Sequence, residues 1–262
     1  MVAGRLNAVG PVGGGHRVRG ARSWVVHELG RAIVSNELVP GEILDLDALA
    51  EQLGLGRSGL REALMVLTAK GMLDARQGFG TFVTPRTDWN LLDPDLLRWH
   101  YDAAPDRRFL QSLNELREVI EPAAARVATL KHTEEDAAAI ESALEQMSAS
   151  GLDYEQYIEA DLRLHSALLT ASQNELLINL TGAIEAGLRS RNSMIPRTEQ
   201  WLEAVEWHRN VVRAVLAGEP DAAEAAMRSL VARGCVDEDE ALEASETSEP
   251  HPKSAVGTPS SA

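Results

Sequence analysis

Residues 44–83, LDLDALAEQLGLGRSGLREALMVLTAKGMLDARQGFGTFV, decide the fold of the first part of the chain. Apolar residues recur at helical spacing from Leu46 to Leu53, and Gly54 then ends the pattern. A second helical period begins at Arg57, three residues later. Its apolar members are Leu60, Ala63, Leu64 and Leu67. The spacing predicts two short helices joined by a tight turn that contains glycine.

The residues after the second helix are typical of a β-hairpin. Residues 72–76 and 81–83 favour strands, and Gly78 and Gly80 between them favour a tight turn. Helix, turn, helix and hairpin in this order predict a winged helix-turn-helix. In this DNA-binding fold the second helix enters the major groove. The alternative is a helical hairpin that carries incidental arginines.

The same residues resemble the DNA-binding part of the GntR family of transcription regulators. The resemblance rests on the run GRSGLREAL at 56–64, on Gly71-Met72-Leu73, and on Gly80-Thr81-Phe82-Val83. It implies an N-terminal domain that binds operator DNA. The residues implicated in DNA binding are Arg57, Ser58, Arg61 and Gly78.

Two departures from the family pattern concern the helix-turn-helix. Gly56 stands where the family usually has Ser or Thr, so the hydroxyl that would cap the second helix is missing. Asp47 and Ala48 occupy a region where several members place an arginine. We therefore expect fewer phosphate contacts than in other members, and a different base preference.

Composition limits the class of protein. The 262 residues suffice for two modest domains, and no apolar run approaches the roughly 20 residues of a membrane helix. The N-terminus lacks a hydrophobic segment of the signal-peptide kind, and the single cysteine, Cys235, excludes an internal disulfide. The sequence therefore predicts a cytoplasmic protein with no membrane partner.

The acidic charge is unevenly distributed. Residues 1–88 contain 10 Lys and Arg against 9 Asp and Glu, a net charge of +1, whereas residues 89–262 have a net charge of −16. Because contact with phosphates depends on local charge, the overall −15 does not exclude DNA binding by the first part of the chain.

The rest of the chain favours helices. Residues 87–235 contain apolar stripes at helical spacing separated by short breaks, which predict an antiparallel bundle of six to seven helices. The expected fold class is mainly α, a winged helix-turn-helix followed by an all-helical bundle. The expected parts are a disordered arm at 1–19, the DNA-binding domain at 20–86, the bundle at 87–235, and a disordered acidic and Ser/Pro-rich tail at 236–262.

Three side chains of the bundle suit a divalent metal ion. Asp161 and His165 are four residues apart and share a helix face, and His208 lies on a later helix beside core valines. Carboxylate and imidazole ligands fit ions of the Zn, Ni or Mn class. The alternative is a pair of core histidines whose hydrogen bonds are satisfied within the protein.

The bundle also resembles the helical ligand-binding domain, the FCD domain, of the FadR subgroup of this family. The residues that carry this resemblance are Asp161-Leu-Arg-Leu-His165, Ala171-Ser-Gln-Asn174 and Trp207-His208. Metal-binding members use one Asp and three His, which implies Asp161, His165 and His208 as ligands here. The fourth position falls on Leu230, which cannot bind a metal.

Arg117 is the second candidate in the bundle. In the resemblance, the matching arginine of the first long helix pairs with the carboxylate of the effector. Asn174 is a further candidate, for contacts with hydroxyls of the effector, and its alternative is a role in helix capping or a place on the surface. A guanidinium fork matches a carboxylate, and a buried arginine requires such a partner. The alternative is an internal ion pair of Arg117 with Glu121 or Glu118.

The segment WNLLDPDLLRW at 89–99 resembles a branch of the subgroup that regulates galactonate use. This resemblance implies a sugar acid, an aldonate such as galactonate, as the effector. The sequence thus predicts a transcription regulator, and more specifically a repressor that binds a palindromic operator as a homodimer. The alternatives are a metal-dependent hydrolase that uses Asp161, His165 and His208, and a DNA-binding protein without a ligand.

Overall fold

The structure, a computed structural model, describes residues 17–54, 56–102, 106–151, 153–194 and 200–248. Helices dominate these residues, and the one small sheet follows the third helix, which confirms the expected fold class. The elements are α1 (Arg17–Val34), α2 (Leu46–Gln52), α3 (Arg57–Ala69), β1 (Leu73–Arg76), β2 (Gly80–Val83), α4 (Pro94–Asp102), α5 (Arg107–Lys131), α6 (Glu134–Ala149), α7 (Tyr154–Ala171), α8 (Glu175–Ile178), α9 (Thr181–Met194), α10 (Gln200–Leu216) and α11 (Pro220–Ser248).

The chain divides into two compact units, of which the first comprises residues up to 115 together with 175–190. In this unit α2 and α3 form the helix-turn-helix, and β1 and β2 pair antiparallel with Leu73 opposite Val83. Apolar side chains of α1, α2 and α3 share one core, because each helix buries its apolar stripe. Its fully buried members include Leu29, Ile33, Leu49 and Leu67.

The N-termini of α2 and α3 are capped in different ways. The side chain of Asp45 accepts a hydrogen bond from the N–H of Ala48 and caps α2. Gly56 caps α3 with backbone alone, as its lack of a side chain requires. Gly54, at the turn between the helices, has a φ of +62°, a conformation that L-residues rarely adopt. The glycine-containing turn expected from the sequence is therefore present.

Helix α4 packs into the core of the first unit. Trp99 is fully buried, and a Cβ added to Gly30 of α1 would lie 2.4 Å from its ring. The indole N–H of Trp99 donates to His27 Nδ1 at 2.9 Å, and Lys70 Nζ lies 2.6 Å from Asp93 just before α4. Residues 89–102 thus pack with the DNA-binding part of the chain, whereas the sequence placed the boundary at residue 86. The periodicity of a helix does not reveal which core its apolar face joins.

The second unit contains residues 116–174 and 191–248, with the greater part of α5, all of α6, α7, α10 and α11, and the end of α9. A capping box at Thr133 and Asp136 starts α6, and the side chain of Asp153 caps α7. Neighbouring helices bury Ala125, Ile140, Leu164, Val212, Met227 and other small or aliphatic residues in one core. Within the described residues, none of the helices combines the length and apolar character that a membrane crossing requires.

At both ends of the chain, helices extend into segments that the sequence predicted to be disordered. Most of the arm predicted at 1–19 lies outside the described residues, and α1 already begins at Arg17. At the other end α11 continues to Ser248, although the sequence predicted a disordered tail from residue 236. Residues 237–243, DEDEALE, contain Glu, Ala and Leu, whose high helix propensity extends a helix without an apolar stripe, together with two Asp of lower propensity. Residues 249–262 of that tail lie outside the described part.

Candidate metal centre and nucleic-acid interface

The exposed face of α3 carries the side chains expected to contact DNA. Arg57, Ser58 and Arg61 are exposed at the start of the helix, whereas Leu60 and Leu64 are buried. Helical spacing places Ser58 nearly opposite the apolar stripe and Arg61 to its side, and Arg57 is exposed as the first residue of the helix. A helix with a free, basic first turn can enter the major groove and reach base edges with its N-terminal residues.

The wing ends in an exposed glycine turn. Gly78 has a φ of +77° and no atom within 4 Å of the position that a Cβ would occupy. The turn therefore requires glycine for its backbone conformation and leaves free space above it. A glycine without a side chain lets the backbone approach a phosphate closely, in keeping with the role that the family resemblance implies.

Asp47, noted above as a departure from the family pattern, lies beside one of these arginines. Its Oδ1 is 3.1 Å from Arg57 Nη2, and both side chains are more than three-quarters exposed. This carboxylate would compete with DNA phosphates for the guanidinium and would add negative charge to the surface predicted to face the duplex. We therefore expect Asp47 to weaken the predicted contribution of Arg57 to DNA binding.

We expect the Asp47→Ala variant to bind DNA about 3- to 10-fold more tightly than the wild type, because one repulsive charge is removed and Arg57 is released. Fluorescence anisotropy with an upstream promoter fragment measures the change at two salt concentrations. Asp74→Ala, which removes a carboxylate of the wing that is half exposed, is a control for the general effect of charge. Equal effects of the two variants would contradict a specific role of the contact between Asp47 and Arg57.

Three helices of the second unit bring five ionisable side chains together in its interior. Helix α5 contributes Arg117 and Glu121, α7 contributes Asp161 and His165, and α10 contributes His208. Each is no more than 3% exposed. The sequence predicted that Asp161, His165 and His208 would converge, and the structure brings one ligand atom of each within 4.8 Å of the others.

The contacts in this cluster centre on the carboxylate of Asp161. His208 Nε2 lies 2.9 Å and His165 Nε2 lies 3.5 Å from Asp161 Oδ1. Neither oxygen of that carboxylate receives a hydrogen bond from the described residues. A buried carboxylate without a donor is costly, so the arrangement favours a cation between these atoms.

The Nδ1 atom of each imidazole already has a hydrogen-bond partner. His208 Nδ1 lies 2.7 Å from the backbone oxygen of Ala204, and His165 Nδ1 contacts Oε2 of Glu121. A carbonyl and a carboxylate only accept, so both Nδ1 atoms donate and both Nε2 atoms are directed toward Asp161. In metal sites of proteins, a histidine is commonly oriented in this way, by a hydrogen bond from the ring nitrogen that does not bind the metal.

The charges of the cluster call for further positive charge, from a proton or from a cation. Burial by itself would raise the pKa of Glu121, but His165 and Arg117 outweigh it and lower the pKa to about 2. Burial opposes protonation of His165, yet Glu121 and Asp161 raise its pKa to about 9. The cluster thus holds two carboxylates against one guanidinium. One further positive charge, such as a proton on His165, balances it, whereas a divalent metal ion would bring two and leave one for an anionic ligand.

Arg117 is engaged at one side of its guanidinium only. Nε donates to Glu121 Oε1 at 2.6 Å, whereas Nη1 is buried without a hydrogen-bond partner among the described residues. The ion pair considered as the alternative is therefore present. It leaves one donor for a further acceptor.

The sequence also named Asn174 and Leu230. Asn174 follows α7, where its backbone N–H donates to Ser172 Oγ. Leu230 is buried in the apolar core and offers no ligand. Sequence reasoning considered Glu121 only as a partner of Arg117 and missed its contact with His165. The spacing of four between Arg117 and Glu121, on the buried face of α5, was the available indication.

Family models match both parts of the chain. The model described as bacterial regulatory proteins, gntR family, matches residues 22–83, and the FCD domain model matches residues 112–233. The galactonate operon transcriptional repressor of Escherichia coli K12 is 36% identical over 214 residues, which are 79% of this chain and 92% of that protein. The transcriptional regulator LutR of Bacillus subtilis 168 is 35% identical over 204 residues, 74% of this chain and 90% of its own.

A solved structure supports the fold. The regulator Lar, described as controlling the agr system of Listeria monocytogenes, aligns with a TM-score of 0.57 at 22% identity. The alignment covers 84% of this chain and 96% of that one.

A winged helix-turn-helix with a basic recognition helix, joined to a helical domain with a buried polar cluster, defines a DNA-binding transcription regulator. The chain belongs to the GntR family, with an N-terminal DNA-binding domain followed by an FCD domain. Because its relatives are transcription regulators, the prediction that it is not an enzyme is confirmed, and the hydrolase alternative is discarded.

Proposed function

We propose that the protein is a repressor that binds a palindromic operator as a homodimer and is released by a small carboxylate effector. The effector is a sugar acid, an aldonate of the galactonate type. It binds in the second unit beside Arg117 and a divalent metal ion held by Asp161, His165 and His208. The unpartnered acceptors of Asp161, buried between two oriented imidazoles, are the observation that carries this proposal.

The donor set fits a metal of the Zn, Ni or Mn class. One carboxylate and two imidazole nitrogens are borderline ligands of the kind that such ions prefer. Because Leu230 stands at the fourth position, the protein supplies three ligands and leaves coordination positions for water or effector oxygens. A bound divalent ion would supply positive charge that attracts and orients the oxygens of an acidic effector. Glu121 and the carbonyl of Ala204 orient the two histidines.

The buried guanidinium of Arg117 favours an effector that carries a negative charge. Its free Nη1 is a buried donor whose desolvation is uncompensated, and a carboxylate oxygen placed there would satisfy it. A sugar acid also carries several hydroxyls, whose oxygens would suit the coordination positions that the three protein ligands leave open. The printed name of the Escherichia coli relative, a galactonate operon repressor, is consistent with this class.

Release from DNA follows from a shift of population. Two recognition helices and two wings address the two half-sites of a palindrome only when their spacing matches one helical turn of DNA. An effector that binds more tightly to another arrangement lowers the share of molecules with that spacing. The response cannot exceed the difference in effector affinity between the two arrangements.

Anisotropy of a labelled upstream promoter fragment tests the proposal. We expect binding in the absence of ligand, and loss of binding when galactonate or a related aldonate is added. Gluconate, a second aldonate, and lactate, a hydroxy acid that is not a sugar acid, define the selectivity of the response. Binding that no acid changes would favour the DNA-binding protein without a ligand. Tighter binding with the aldonate would contradict the repressor mechanism.

Metal content of the purified protein tests the proposed ligands. We expect about one equivalent of a Zn-, Ni- or Mn-class ion per chain, and less than about a tenth of that in Asp161→Asn, which loses the only anionic ligand. Asp221→Asn, a change of an exposed aspartate, is the matched control. Equal metal content in both variants would exclude Asp161 as a ligand, and a thermal melt of each variant verifies that it is folded.

A further inference from the structure

A buried amide near the end of α9 is a second donor without a partner. Asn192 is 5% exposed, and its Nδ2 has no hydrogen-bond acceptor among the described residues. Arg117 Nη1 is in the same state, and both residues belong to the second unit. Because a buried donor without an acceptor is costly, the two atoms mark places where a ligand can supply acceptors.

A hydrogen bond from α7 fixes where Asn192 lies. The hydroxyl of Tyr154, the first residue of α7, donates to the backbone oxygen of Asn192 at 2.8 Å. Tyr154 shares a face of α7 with Asp161 and His165, because spacings of seven and eleven residues correspond to two and three helical turns. Asp161 is about 10 Å farther along the helix axis. The end of α9 therefore contacts a side chain from the face of α7 that carries the polar cluster.

Helix α11 links the same end of α9 with Arg117. A Cβ added to Gly234 would lie 3.1 Å from Arg191 Cζ, so α11 packs closely against the guanidinium that precedes Asn192 in the chain. The next residue of α11, Cys235, interacts electrostatically with Arg117. Burial by itself would lower the pKa of Arg117, but nearby acidic groups, Cys235 among them, outweigh it and raise the pKa. Since such interactions weaken with distance, α5, α9 and α11 approach one another here.

The two donors suit the two ends of one ligand. A carboxylate suits Arg117, and a hydroxyl suits the amide of Asn192, because both an amide and a hydroxyl donate and accept hydrogen bonds. With C–C bonds of about 1.5 Å, the carbons of a six-carbon acid span roughly 6 Å, and a hydrogen bond of about 3 Å at each end extends this reach. That length is comparable with the two helical turns between Tyr154 and Asp161. The three carbons of lactate span less than half of it.

We propose that the side chain of Asn192 binds a hydroxyl at the far end of the effector, so that the site selects a long polyhydroxy acid over a short hydroxy acid. The inference rests on the proposed function and deepens it by naming the residue that sets this selectivity. Asn174, the candidate that the sequence offered for such contacts, is exposed and follows the opposite end of α7.

Calorimetric titration of the purified protein with two acids tests the selectivity. Galactonate has six carbons, and glycerate is a hydroxy acid of three. Asn192→Leu, which keeps the approximate size of the side chain without its polar atoms, should raise the Kd for galactonate about 5- to 20-fold and leave glycerate binding as in the wild type. Asn210→Leu, at an exposed asparagine of α10, is the matched control and should change neither. Unchanged galactonate binding by Asn192→Leu, or an equal loss for both acids, would overturn the inference.

Thermal unfolding without any ligand tests whether the amide serves the fold instead. Asn192→Leu removes a buried donor that has no acceptor, so its Tm should be at least as high as that of the wild type. Asn192→Ala is a second variant, for the case that leucine does not fit the site. A Tm more than about 5 °C below the wild type in both variants would show that the amide stabilises the fold, and would overturn the inference.

The same titrations keep the two proposals apart. A wild-type chain that binds no sugar acid would refute the proposed function, and the inference with it. A wild-type chain that binds galactonate and glycerate equally well would refute the inference alone. The expected result is tight binding of galactonate by the wild type and a loss of that preference in Asn192→Leu.

Discussion

Arg61→Ala is expected to weaken binding to the operator by about 10- to 100-fold. Arg61 is exposed in the first turn and a half of α3, to the side of the buried stripe that includes Leu60 and Leu64. An arginine that reaches a guanine edge in the major groove contributes about 1 to 3 kcal/mol of discrimination. The loss should therefore be large on operator DNA and small on unrelated DNA of the same length.

Two comparison variants sharpen this expectation. Arg228→Ala removes an exposed arginine of α11 and should leave the affinity unchanged. Arg57→Ala, whose guanidinium is partly neutralised by Asp47, should weaken binding less than Arg61→Ala. Anisotropy titrations at several salt concentrations distinguish base contacts, which alter specificity, from phosphate contacts, which alter the salt slope. Normal operator binding by folded Arg61→Ala would remove this residue from the interface.

Arg117→Met is expected to lower the free energy of unfolding by about 3 to 5 kcal/mol and to abolish the response to the effector. Arg117 is 2% exposed, and its Nε lies 2.6 Å from Glu121 Oε1. Removal of one partner leaves the carboxylate of Glu121 buried with less compensation, which is far more costly than replacing both partners. Loss of the Nη1 donor also removes the proposed contact with the effector.

The variant Arg117→Met/Glu121→Gln separates these two roles. It removes the uncompensated charge while retaining an oxygen that accepts from His165 Nδ1, so we expect it to recover more than half of the lost stability. It should not recover the response to the effector. Urea unfolding at fixed pH and an aldonate dose–response on operator DNA measure the two effects. A double variant that responds normally would show that Arg117 serves the fold alone.

The DNA-binding part was predictable in detail because its signals are local. Apolar periodicity, the turn glycine at Gly54 and the wing glycine at Gly78 each act within a few residues, and the structure contains the element that each indicates. The exposure of Arg61, to the side of the apolar stripe, follows from the same periodicity, and that of Arg57 from its place as the first residue of α3. In contrast, the pairing of Arg57 with Asp47 depends on how α2 and α3 pack, and the sequence showed only that both charges were present.

The boundaries and the tail illustrate the limits of local reasoning. The sequence predicted that residues 89–102 begin the bundle, yet Trp99 is buried against Gly30 in the first unit. Helical spacing identifies which face of α4 is apolar but not which core accepts it. Similarly, charge and composition suggested disorder from residue 236, whereas helix propensity carries α11 on to Ser248.

By itself the sequence determined the mainly helical fold, the family, the recognition helix, and the candidates Asp161, His165 and His208. These follow from spacing along one helix or from motifs that act locally. Only the tertiary structure decided that α5, α7 and α10 meet around Asp161, that Glu121 orients His165, and that Arg117 retains one donor without a partner. These features depend on the relative placement of helices far apart in sequence, which burial of their apolar faces sets and which no local pattern encodes.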